Sequence, residues 1–150
     1  MLQQALRTYL LSKAAITTIV AQRIHVGDFV PANKTDIPAI GIEQVPTPRT
    51  QQLDGEECDL QFPVFEIVSK ALLYTSSGAL CTLVRRALHS LRLGGTVVIT
   101  VDGAPQNVVI EQVDVLGDWQ DDEEDYGHGF TIKPWVLKIR VGWRENVTAF

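Results

Sequence analysis

Three histidines, two cysteines and one run of five acids are the side chains in this sequence with the most chemistry to offer. The histidines are scattered: His25 in a short strand-like stretch, His89 on the polar side of a helix, His128 between two glycines. None has a second His, Cys or carboxylate at ligand spacing, so no zinc site is expected. His128 beside Asp125 is the one pairing that would suit proton transfer or a metal, against the plainer reading of a solvated loop histidine. Cys58 and Cys81 lie far apart without a Cys-x-x-Cys partner, and each reads as a small core residue. There is no phosphate loop, nucleophile elbow or His-Glu-x-x-His pair. Gly94-Gly95 follows a helix and precedes a strand, the wrong order for a phosphate cradle and the right one for a helix stop. No enzymatic activity, cofactor or metal is expected.

The run Asp121-Asp122-Glu123-Glu124-Asp125 is the strongest local signal. It lacks the alternating ligands and central glycine of a calcium loop. Trp119 and Tyr126 flank it, and aromatics beside charge suit a loop that lands on a partner. The bland alternative is a solvated loop whose aromatics pack on the sheet rim.

The elements that must position these groups follow from hydrophobic period. Leu2, Leu6, Tyr9 and Leu10 recur at helical spacing, and Ile16, Ile19 and Val20 continue the face after a break near Ser12. Ile24 to Gly27 reads as a short strand, residues 28–36 as a polar loop, and Ala39 to Ile42 as a second strand. Residues 47–52 form an exposed excursion, since Pro46 and Pro48 block regular pairing. Leu60 to Lys70 is a strand whose Pro63 implies an edge or a bulge. An amphipathic helix is expected from about Ser77 to Arg92, with Leu80, Leu83, Val84, Ala87, Leu88 and Leu91 on one face and Ser76-Ser77 as cap. Thr96 to Val101 is apolar on both faces and predicts a well-covered strand, turning at Asp102-Gly103 into Val108 to Leu116. After an acidic loop over 118–129, the last strand alternates, with Trp135, Leu137, Ile139, Val141 and Trp143 facing one way and Lys138 and Arg140 the other. The result is a single α+β domain over residues 1–150, with a largely antiparallel sheet of about five to six strands and two main helices on one face.

With 150 residues, 45% apolar and 21% charged, the chain is large enough for one good core. A net charge of −5 argues against a general nucleic-acid or membrane-surface binder. No apolar run approaches the roughly 18 residues that cross a bilayer, no signal peptide is legible, and a reducing cytoplasm is the expected site of folding. The Asn146-Val147-Thr148 sequon reads as a chance match.

Taken in order, several of these segments carry a resemblance. They are Leu2 to Leu11 with its continuation Ile19 to Ile24, Ile37-Pro38-Ala39-Ile40, the turn Leu53-Asp54-Gly55, and Phe65 to Ser69. The helix with Leu83, Val84, Arg86 and Leu88 and the closing Val141-Gly142-Trp143-Arg144-Glu145 complete the series. Together they resemble the tail-completion proteins of tailed bacteriophages, the tail terminators or minor tail proteins. The acidic loop and the Trp135 to Trp143 strand are more pronounced here than the family leads one to expect. The resemblance implies a virion structural protein, assembled in the host cytoplasm, that forms a ring, usually of six copies, at the head-proximal end of the tail tube. Its partners would be other copies of itself, the tail tube protein and a head-completion or connector protein, with DNA passing through unbound. The candidate interface or channel residues are Arg49, Arg85, Arg86, Trp119, Asp121, Asp122, Glu123, Glu124, Asp125 and Tyr126. The alternative is another head–tail connector component or a monomeric protein-binding adaptor of the same architecture.

Overall fold

A computed structural model describes residues 2–27, 29–46 and 62–145. The excursion at 47–52, Arg49, the Leu53-Asp54-Gly55 turn, Cys58 and the 146–148 sequon lie outside the described residues. The chain is α+β: α1 (Leu2–Leu11), α2 (Ala14–Val20), β1 (Ile24–Val26), β2 (Ala39–Val45), β3 (Val64–Ala71), α3 (Tyr74–His89), β4 (Gly95–Val101), β5 (Ala104–Gln120), β6 (Glu124–Asp125) and β7 (Thr131–Glu145). A single turn of 3-10 helix at Lys34–Asp36 lies between β1 and β2.

The sheet runs β1-β2-β3-β7-β5-β4, with β6 on β7 beyond the end of the β5 ladder. Among the described residues only β1 and β2 are parallel; the other pairs are antiparallel. β7 is therefore the central strand, and its expected alternation is what holds the molecule together. Leu137, Ile139 and Val141 are fully buried and Trp143 nearly so, all in one cluster with the inner faces of the helices. That cluster takes Leu6 and Leu10 from α1, Ile16 and Val20 from α2, and Leu80, Val84 and Leu88 from α3. The helices thus cover one face of the sheet, as amphipathic helices of this apolar width must. A second, smaller cluster of Ile37, Ala39 and Ile132, with Phe29 and Phe130 against it, packs separately.

Several expectations need correcting. α3 begins at Tyr74 after Leu73, and the Ser77 hydroxyl donates to the Tyr74 carbonyl at 3.2 Å, so the serine pair lies inside the first turn and caps nothing. The helix stops at His89, and a further turn leads to Gly94. Gly94 holds φ +98°, and a Cβ there would sit 2.8 Å from the Ile110 carbonyl oxygen, so both conformation and space demand glycine. Pro63 immediately precedes an interior strand instead of marking an edge, because its carbonyl still accepts from the Val141 amide and only its missing N–H had to be placed outside the ladder. β4 is not covered on both faces. It is the outermost strand, with Thr96, Val98 and Thr100 exposed and only Val97 and Ile99 buried. The acidic segment is only partly a loop: Asp118 to Gln120 belong to β5, and Glu124 and Asp125 pair with Ile132 and Thr131, while the residues between and after them stay outside the strands.

Candidate interaction surface

The N-terminal turn of α3, the end of β5, β6 and the start of β7 meet at one corner, and most of the sequence-predicted residues are there. Asp118 faces the helix side of the sheet. Its carboxylate accepts from Arg85 at 2.7 Å and from the Trp135 indole N–H at 3.1 Å, tying α3 to β5 and β7. Arg85 is therefore partly committed to structure, while Arg86, one position on, is exposed. Burial pushes the Cys81 thiol on the same helix up to about 11, and the Asp118 charge adds to the rise while Arg85 opposes it. Such a thiol is not a nucleophile at neutral pH.

The five acids divide by role. Glu124 pairs with Lys70 at 3.1 Å, and the same ammonium donates to the Phe29 carbonyl at 2.7 Å. Lys70 is only 4% exposed while Glu124 keeps some contact with solvent, so this pair is a half-buried clamp joining β3, β6 and the segment after β1. The Tyr126 hydroxyl donates to the same Glu124 carboxylate. Glu123 pairs with Lys133 at 2.7 Å. Asp121 turns to its neighbour's amide, its side chain accepting from Asp122 N–H, and its carbonyl accepts from the Tyr74 hydroxyl at 2.7 Å. Asp125 accepts from the Gly127 amide at 2.9 Å. Asp121, Asp122, Glu123 and Asp125 remain exposed to solvent.

Trp119 is 40% exposed on the opposite side of the sheet, where it pairs in register with Val136. Tyr126 (43%), Leu72 (41%) and Leu73 (61%) add further exposed apolar surface around the corner. A shallow open depression lined by Asp125, Gly127, Gly129, Phe130 and Thr131 lies beside them.

The proton-transfer pairing of His128 with Asp125 is not made. The imidazole stacks toward Phe130, with ring centroids 6.4 Å apart, and the Asp125 oxygen is turned to Gly127. Among the described residues no group of three or more His, Cys, Asp or Glu is placed to hold a metal ion. His25 is held elsewhere, stacked on Phe29 with centroids 3.8 Å apart. Its pKa is lowered first by burial and next by the Arg7 charge, and its Nε2 finds no hydrogen-bond partner among the described residues.

Sequence reasoning missed Lys70, Tyr74 and Lys133, the three residues that fix the acidic segment. One signal was available: a lysine at the end of a strand rich in apolar residues must find an acceptor if it is covered. Its partner lies 54 positions away, and spacing alone does not reveal it.

Compared with models of protein families and with curated proteins, the chain matches none.

Proposed function

We propose that this chain is a structural subunit of a tailed-bacteriophage virion, forming a ring at the head-proximal end of the tail tube that ends tube polymerisation and joins tail to head. Tail tube protein would meet one face of the ring and a head-completion protein the other. The reading rests on the order of segments that resembles tail-completion proteins. The observation that carries it in the structure is the corner built by α3, β5, β6 and β7. There, exposed carboxylates at Asp121, Asp122, Glu123 and Asp125 stand beside exposed Leu72, Leu73 and Tyr126 on a rigid, cross-linked frame. Ordered apolar side chains edged by charge suit protein contact better than chemistry on a small molecule.

A ring is a closed heterologous assembly, in which one patch meets a different patch on the next copy. Six copies at −5 each would carry about −30, and a negative lumen lets DNA slide without gripping it. Native mass spectrometry across a concentration series, with and without magnesium, tests the reading. A species of about 100 kDa, six times the 16.6 kDa subunit, is expected. A monomer at every concentration, also in the presence of tail tube protein, replaces the ring with the adaptor reading.

A further inference from the structure

β4 is the long open edge of the sheet. Gly95–Val101 pairs with β5 along one side, and no strand lies along its other side among the described residues. Edge strands are ordinarily blunted by charge, proline, a bulge or brevity. This one, Gly-Thr-Val-Val-Ile-Thr-Val, has no charge and no proline over its seven residues, and its register with β5 is unbroken. The opposite edge, β1, is three residues long and offers far less.

The strand is also nearly palindromic about Val98. We propose that a second copy of this chain pairs antiparallel with β4 about a two-fold axis through Val98, joining two sheets into one. In that register Val98 meets Val98, Thr96 meets Thr100, Val97 meets Ile99 and Gly95 meets Val101. Threonine opposite threonine and β-branched side chains opposite each other are favourable cross-strand partners. Val97 and Ile99 already lie in the main core, so the pairing carries that layer from one copy into the next. Thr96, Val98 and Thr100, on the other face, have cross-strand partners from β5 on one side only and gain partners on the other.

Charge selects the same occupant. Two copies of a chain with net charge −5 repel, and the uncharged strand lets them approach without opposing carboxylates. At both ends the register brings Asp102 of one copy opposite Gly94 of the other, two positions from the exposed Arg92. Asp102 therefore faces a glycine and not another carboxylate. A partner strand of another protein would have no reason to match this symmetry. The contact is isologous and closes at two copies, so it stands apart from the ring reading, which needs unlike patches.

Sedimentation velocity over a concentration series tests it, with the wild type expected to reach a species of about 33 kDa, twice 16.6 kDa. Val98 is 54% exposed, so Val98→Lys and Val98→Glu should keep the fold, verified by circular dichroism and melting. Each places like charges opposite one another and should raise the dimer dissociation constant at least about tenfold. An equimolar mixture of the two variants should restore the dimer, because lysine then meets glutamate. Wild type that never exceeds a monomer, or Val98→Lys that associates like wild type, overturns the pairing; so does a mixture no tighter than its components. A six-copy species that survives Val98→Lys unchanged would keep the ring and remove the β4 contact. A two-copy species rescued by the mixture keeps the β4 contact whether or not a ring forms.

Discussion

At the scale of single residues, the acidic run is a frame for the surface as much as the surface itself. Glu124 is spent on Lys70, a nearly buried ammonium whose only other acceptor among the described residues is the Phe29 carbonyl. Glu124→Gln keeps the shape and removes the charge. It should cost about 1–3 kcal/mol in urea unfolding, below the figure for a fully buried pair because Glu124 retains some solvent. His25 makes a second prediction, with a definite sign. Its folded pKa lies below the ordinary 6.5, so the folded state binds fewer protons than the unfolded chain on the acid side. Stability is complete above about pH 6.5 and falls as the pH drops toward the folded pKa. Arg7 and Arg23 oppose protonation and Asp36 favours it, so the decline is limited but present. In His25→Phe, which keeps the stack on Phe29, the acid slope of stability from chemical unfolding should flatten; an unchanged slope would assign it to other groups.

At the scale of elements, two substitutions separate packing from conformation. Leu137→Ala removes a fully buried side chain from the central strand, under the helices and flanked by β3 and β5. It should destabilise by about 2–5 kcal/mol, seen as a lower urea midpoint with unchanged slope. Gly94→Ala adds one methyl group at the half-buried turn after α3, a small change in volume. It should nonetheless cost about 1–3 kcal/mol, since φ is +98° and the new Cβ meets two carbonyl oxygens at 2.8 and 2.9 Å. Thermal melting of the pair checks both; a Gly94→Ala protein as stable as wild type would mean that the turn after α3 re-forms freely.

At the scale of the whole molecule, the prediction concerns charge. Glu123 and Glu124 hold lysines, so a reversal meant to leave the fold alone must be confined to Asp121 and Asp122. Asp121→Lys with Asp122→Lys changes each subunit from −5 to about −1. The double variant should melt within about 0.5 kcal/mol of wild type, because both positions are exposed and unpaired with any cation among the described residues. In a low-salt gel-retardation assay it should retain DNA that the wild-type protein lets pass. Equal mobility of DNA with both proteins would remove the acidic corner from any account of a DNA channel.

Most of the elements are written in local sequence pattern, although β6 and the ends of α3 are not. The break at Ser12, the helix around Leu80 to Leu88, the turn at Asp102-Gly103 and the alternating last strand were all legible. Each is dictated by a period or a local backbone preference within a few residues. The α+β class and the one-sided placement of the helices follow from the same patterns. Tertiary structure alone decided which strand is central, which is the edge, and where the charges go. Val98 and Leu137 look alike as β-strand hydrophobics, yet one is 54% exposed and the other fully buried, because burial depends on neighbours the sequence order does not name. Likewise Lys70, Tyr74 and Lys133 meet the acidic segment only because β3 and β7 lie side by side and α3 begins above them. Local physics fixes the pieces; their long-range pairing, settled by the total burial the whole chain can achieve, fixes the surface they present.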